Sequence, residues 1–385
     1  MKISTTFLVL MGLAILIKLV LFVFGTLRVA ESKYGVDSHQ YLKLADTLYE
    51  KRSFSWAGPD GLLHPETFRA PGYPLFLSGL HDVAQIPLNG VILVQVLLTV
   101  WAAWIVYLIA GHIDGKIAPL SALIFLWDLP TTAISLRLLT ETLFVFFMVL
   151  FILSFVLYLR RGTWEFLVLS ALTMAALAYT RPGSYYLAGV VVFFIIYANG
   201  PHNIRRALLH AALFGVIVFS LLGAWQVRNY HACKLTAFST VAQVNAGYGL
   251  QGSYTSEKYP LPHGIRTPGY YVKMFSSSLV SFMTSPGSLK YFGSPPLTAM
   301  GKVLAYPFMA FWMAGFMAGV VKTGRNMNYQ FLLLITAYFL LGSAVFVTSA
   351  VGDRFRVPVV PSIAIISAYG WARLREIYEN HFFRQ

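Results

Sequence analysis

The chain predicts an all-α polytopic membrane protein, about ten transmembrane helices in a single unit spanning residues 1–385, with two long extracytoplasmic loops at about 28–86 and 226–300. Three observations predict it. Apolar residues make up 57% of the sequence, and the mean hydropathy is +0.65. Charged residues account for only 11%, against about 25% in ordinary globular proteins. Runs of about 20 apolar residues, the length that crosses a bilayer core, recur along the chain.

The first such run, residues 5–27, is longer than the apolar core of a cleaved leader and lacks a small-x-small site, which predicts a retained helix. Further spans centre on 87–110, 117–133, 138–158, 207–225, 301–320, 329–347 and 357–372. The stretch Glu165–Tyr197 would make a helix of about 50 Å at 1.5 Å per residue, too long for one crossing. Arg181-Pro182-Gly183 interrupts it, because proline cannot continue a helix, and two short helices meeting at that turn are expected. The basic residues agree. Lys2, Lys116, Arg160-Arg161, Arg205-Arg206, Lys322 with Arg325, and Arg373 with Arg375 fall in alternate connections. Positive connections face the cytoplasm, so both termini are expected there, with an even number of crossings between Arg161 and Arg205. The two outer loops carry their own helices: Tyr41, Leu42, Leu44, Leu48 and Tyr49 have helical spacing, and Tyr270 to Phe282 reads as an interfacial amphipathic helix.

The net charge is +14, but it is scattered over the loops, which argues against a nucleic-acid face and for an anionic membrane surface or a phosphate-bearing ligand. The lone Cys233 excludes an internal disulfide and a cysteine metal cage. Gly111 to Lys116 lacks the spacing of a nucleotide P-loop, so a group transferred outside must arrive already activated.

Arginine on the outer side carries the functional signal. Arg137, Arg181, Arg228, Arg354 and Arg356 all fall at outer helix ends or in short outer turns. Such turns normally avoid cations, and a charge at the centre of a span costs about 2.5–3.5 kcal/mol on insertion scales. Only Asp128, Glu141 and Asp353 are near enough in sequence to balance them. A phosphate held by forked guanidinium donors is the natural remaining partner. The alternative is that these arginines bind lipid headgroups or cap helix C-termini. Asp37 stands just after the first span; it can take a proton from a hydroxyl or simply cap the following helix. In Arg69-Ala70-Pro71-Gly72-Tyr73-Pro74 the two prolines fix a bend, with Arg69 the residue able to touch a ligand. Lys18 lies inside the first span, where pairing with Glu141 and snorkelling are both open. No ligand spacing links His39, His64 and His263 to Asp37, so a bound metal is not indicated and a divalent cation stays an open alternative. Gly315 and Gly319 form a small-xxx-small face suited to helix packing.

Asp37-Ser-His-Gln-Tyr41 with Leu44-Ala45, followed by Arg69 to Pro74, resembles the first outer loop of the GT-C superfamily. These multispanning glycosyltransferases use polyprenyl-phosphate sugars and include protein O-mannosyltransferases and the lipid A aminoarabinose transferase. The resemblance continues in Leu139 to Phe144, Thr180-Arg181-Pro182, Trp225 to Tyr230 and Asp353 to Pro358, in order along nearly the whole chain. It implies a first outer loop lying on the membrane with a catalytic aspartate near its start, which maps onto Asp37. Members often carry a second acidic residue beside it, where this chain has Ser38. It also implies arginines that bind the lipid phosphate, here Arg181, Arg228, Arg354 and Arg356, to which Arg69 and Arg137 are added. Tyr41, Tyr73, Glu141 and His263 are placed at the substrate. The expected activity is inverting sugar transfer from a polyprenyl-phosphate donor to a hydroxyl on a glycan, lipid or protein acceptor, at the outer face of a cell membrane, bacterial inner membrane in type. A lipid-linked glycan polymerase or ligase, and a flippase or exporter of lipid-linked sugar, are the alternatives. Nucleic acid is not an expected partner.

Overall fold

The computed structural model describes residues 4–27, 30–58, 61–200, 203–241, 244, 268–292, 295–346 and 352–382. Helix α1 spans Thr5–Leu21 and runs on into a π-turn to Leu27, started by Ser4, whose hydroxyl accepts from the Phe7 N–H. The segment after it folds as α2 (Ser38–Lys51), a two-stranded antiparallel hairpin of β1 (Ser55–Ala57) and β2 (Leu63–Pro65) with Trp56 opposite His64, and the short α3 (Gly72–Leu77). Next come α4 (Leu88–Ile113), α5 (Ala118–Leu126), α6 (Leu129–Ser135), α7 (Glu141–Arg161), α8 (Trp164–Thr180), α9 (Leu187–Asn199) and α10 (Ile204–Cys233). The last five are α11 (Pro268–Thr284), α12 (Pro295–Lys322), α13 (Met327–Phe346), α14 (Asp353–Arg356) and α15 (Val360–Phe382).

Among the described residues eight helical segments are long and apolar enough to cross a membrane, and α5 with α6 makes a ninth if that bent pair crosses as one. The expected straight span at 117–133 is instead bent by 56° between α5 and α6. Pro130 cannot donate to the Leu126 carbonyl, and Asp128 restarts the helix by accepting from the Thr131 N–H at 2.9 Å. The break expected at Arg181 is present. The residue before a proline is pushed out of the helical region, and Arg181 is extended at φ −140°, ψ 114°, ending α8. The amphipathic segment of the second outer loop is α11.

Helix α7 is apolar nearly all round and is buried in the middle of the bundle, among α4, α8 and α13. The glycine face of α12 packs against α15. A Cβ on Gly319 would run into the Ile366 carbonyl, so the two backbones meet there without side chains between them. Gly319→Val is expected to open this seam and lower stability by about 2 kcal/mol, checked by thermal unfolding of the purified protein in detergent.

The ends of the bundle nearest α2 carry the site. Ser38, fully buried, donates to the Leu138 carbonyl at 2.8 Å and accepts from the Gly35 N–H at 2.7 Å. With the Leu138 N–H donating to the Lys33 carbonyl, this pins the turn before α2 onto the α6–α7 connection. The serine that stands beside Asp37 is therefore an anchor for the turn that bears it. Gly72 lies so close to the Tyr179 carbonyl that a Cβ there would sit 2.7 Å from it, which brings the Arg69–Pro74 bend against the end of α8.

Candidate active site

Asp37 occupies the N-cap position of α2 but does not cap it. Its carboxylate is taken by two arginines from distant parts of the chain: Arg69 Nη2 at 2.6 Å on Oδ1 and Arg354 Nη2 at 2.7 Å on Oδ2. Arg354 turns its Nε to Glu141, and Arg181 Nη1 reaches the same Glu141 oxygen at 2.7 Å. Glu141 is wholly buried, whereas Asp37, Arg69, Arg181 and Arg354 keep 15–21% of their side-chain surface. Three guanidinium groups thus face two carboxylates, leaving one positive charge open to solvent on one side.

Each member is held by its own local structure. Glu141 is the first residue of α7, where the free N–H groups of the helix start favour a negative charge. Arg181 is aimed by the extended residue before Pro182. Arg354 sits in the one-turn α14, whose Asp353 accepts from the Ser288 N–H at 2.7 Å and the Ser288 hydroxyl at 2.9 Å. Arg69 follows a turn in which Glu66 accepts from the N–H groups of Phe68 and Arg69. Its guanidinium donates to Gln40 Oε1 from Nε at 3.1 Å and Nη2 at 2.6 Å, and to the Tyr41 hydroxyl at 3.3 Å. It also lies 5.1 Å from the centre of the Tyr41 ring.

Burial by itself pushes the Asp37 carboxyl up, but the neighbouring Arg354 and Arg69 outweigh it and hold the group below the usual carboxylate range. Tyr41, buried beneath, is pushed up by desolvation. In this structure Asp37 is therefore ionised and a weak proton acceptor.

The structure brings Asp37, Arg69, Arg181, Arg354, Glu141 and Tyr41 together. It places the other expected residues elsewhere. Arg228 donates to the carbonyls of Glu66 and Phe54, 2.8 Å for the first, and stacks 4.9 Å from the Trp225 ring, so it clamps the hairpin to α10. Arg356 is fully buried and donates to the carbonyls of Phe282, Met283 and Ser285, capping the end of α11. Arg137 is buried with Nη1 on the Leu136 carbonyl. Tyr73 is fully buried, its hydroxyl donating to Gln95 at 2.8 Å. Backbone carbonyls hold both terminal nitrogens of Arg228 and the Nη1 of Arg356. Lys18 donates to the Thr132 hydroxyl, not to Glu141. His263 lies outside the described residues. Arg228→Lys is expected to lose one of the two carbonyls and about 1–3 kcal/mol of stability, read as earlier melting of the purified protein in detergent.

Gln40 belongs to this site, and Glu66 fixes the backbone turn before Arg69 without touching a guanidinium of the cluster; neither was singled out from the sequence. The available signal was the position of Gln40 three residues after Asp37, on the same face of α2. As to a metal, the described residues hold no group of three or more His, Cys, Asp or Glu able to share a cation. The space between Asp37 and Glu141 is filled by the Arg354 guanidinium, a donor set that does not fit a metal ion.

Residues 64–225 match the family model of dolichyl-phosphate-mannose-protein mannosyltransferases. No curated protein matches by sequence. Among solved structures, the oligosaccharyltransferase AglB of Archaeoglobus fulgidus, in complex with an inhibitory peptide and a dolichol-phosphate, is similar over 98% of this chain at 14% identity and a TM-score of 0.58. ArnT of Cupriavidus metallidurans bound to undecaprenyl phosphate is similar over 96% at 13% identity and a TM-score of 0.57. The chain spans 52% of that AglB chain and 61% of that ArnT chain. The chain shares its fold with these two structures.

Proposed function

We propose that this chain, with the GT-C fold and a mannosyltransferase-family segment over residues 64–225, is a glycosyltransferase that moves a sugar from a polyprenyl-phosphate donor to an acceptor hydroxyl. The observation that carries it is the arginine cluster: Arg69, Arg181 and Arg354 converge on Asp37 and Glu141 from three separate segments, with one positive charge uncompensated. A sugar-phosphate-lipid diester carries one negative charge, which this site would neutralise. A lipid diphosphate carries more.

In the reaction the acceptor oxygen attacks the anomeric carbon as its proton passes to Asp37. The bond from that carbon to the phosphate oxygen breaks, and the electron pair stays on the polyprenyl phosphate. Single displacement inverts the anomeric centre. The guanidinium groups stabilise charge as it builds on the leaving phosphate, and because the fold already holds them in place, little rearrangement is needed at the moment of transfer. The Asp37 proton transfer supplies a further factor of about 10²–10⁴. Facing the site outward, with both termini cytoplasmic, follows from the basic connections. The acceptor is a glycan, a lipid or a protein.

The similarity to AglB keeps the lipid-diphosphate ligase as the second reading. Incubating the purified protein with a membrane extract and either a single-sugar lipid phosphate or an oligosaccharide lipid diphosphate separates the two. Release of polyprenyl phosphate from the first alone is the expected result; turnover of the diphosphate alone would overturn the donor assignment. Mass profiling of envelope glycans with and without the gene then identifies the product, as the one that loses a single sugar.

A further inference from the structure

Each oxygen of Asp37 accepts from a guanidinium group, and two charged donors together make the carboxylate a poor acceptor of a proton in this state. The two arginines hold it in the same way. Each reaches Asp37 with Nη2 while its Nε is fixed on another acceptor, Gln40 for Arg69 and Glu141 for Arg354. The Nε contacts lie on separate elements, α2 and α7, and do not depend on Asp37. A phosphate could therefore take over the two Nη2 donors with both guanidinium groups left in place.

We infer that the site loads in a fixed order: the lipid phosphate must first draw the Nη2 groups of Arg69 and Arg354 off Asp37, and only then can Asp37 take the acceptor's proton, with Gln40 the positioning residue that keeps Arg69 aimed. This rests on the donor assignment above and adds to it a binding order and a residue. The exchange balances in charge: one carboxylate leaves the guanidinium pair and one phosphodiester enters. The groups facing Asp37 are Arg354 from α14, Arg69 from the loop before α3, Glu141 from α7 and Tyr41 from α2. Once the two Nη2 groups turn to phosphate, Asp37 loses its direct ion pairs and gains a neighbouring negative charge that offsets the guanidinium charges, so burial and the Glu141 charge weigh more and its proton affinity rises. Donor binding thus converts a weak base into a stronger one at the moment it is needed. An acceptor arriving first meets an ion-paired carboxylate of low proton affinity, which protects the site from idle engagement.

The test labels carboxyl groups of the full-length protein in detergent with a water-soluble carbodiimide and an amine, read by peptide mass spectrometry. It is run with undecaprenyl phosphate, with undecaprenol as the phosphate-free control, and with neither. Binding of the lipid phosphate is measured in parallel by native mass spectrometry. The expected result is labelling of Asp37 that rises severalfold with the lipid phosphate and not with the alcohol. Gln40→Leu should raise the lipid phosphate concentration needed for this by severalfold. Lipid phosphate that binds without unmasking Asp37 would overturn the loading order alone. Failure of the lipid phosphate to bind at all would overturn the donor assignment and the order with it. An unchanged midpoint in Gln40→Leu would remove that residue's role.

Discussion

Asp37→Asn is expected to lower sugar transfer by about 10²–10⁴-fold, the usual contribution of a positioned general base, while the protein still inserts, folds and binds lipid phosphate. The amide has the shape of the carboxylate but cannot take up the acceptor's proton. It also frees Arg69 and Arg354 from a competing negative charge, so affinity for undecaprenyl phosphate should rise as the rate falls. Those opposite movements distinguish a lost base from a collapsed site, which would lose both. The pH dependence has a definite sign. The folded Asp37 titrates below its ordinary range, so its ion pairs are fully present above the unfolded carboxyl pKa of about 3.9 and are lost as pH falls through the depressed value. Pairing at Asp37 should accordingly persist unchanged between pH 5 and pH 8, as measured by carboxyl labelling of the free protein. Normal turnover in the asparagine variant would end the assignment of Asp37 as base.

Much of the frame was legible because a bilayer imposes simple demands. Each crossing needs a fixed apolar length, and Arg181-Pro182 had to end a helix since the residue before proline leaves the helical region. The bend between α5 and α6 was less visible. Asp128 and Pro130 announce it, but an apolar run averaged over residues 117–133 hides a local restart. The arginines at these helix ends pointed to the polar chemistry, yet residue type alone does not tell which of them share a partner. Arg228 and Arg356 meet backbone carbonyls presented by the hairpin and by the end of α11, and such acceptors exist only once those segments approach. The convergence of Asp37, Glu141 and Arg354 joins residues more than 100 positions apart, beyond the reach of spacing. Gln40 escaped for a simpler reason: a neutral side chain contributes nothing to a tally of charges.

Glu141 is where the fold and the proposed chemistry depend on each other most. Its carboxylate is fully buried and pairs with Arg354 and Arg181 on one oxygen. Removing one partner of a buried ion pair leaves the other charge unsolvated and costs about 3–5 kcal/mol. Glu141→Gln is therefore expected to destabilise the protein by roughly that amount, near the lower bound because Arg181 and Arg354 remain partly exposed and Arg354 keeps Asp37. Transfer should fall as well, since Arg354 loses the contact that fixes its Nε. Two further variants separate charge from packing. Glu141→Asp keeps the charge on a shorter reach and should recover part of the stability. Glu141→Gln combined with Arg181→Gln removes one charge of each sign and should be less destabilised than the sum of the two single changes, the coupling expected of neighbours in one network. Measured unfolding in detergent decides it: strictly additive effects would mean that Glu141 acts through packing alone, and the arginine cluster would then have to be held together by Asp37 without it.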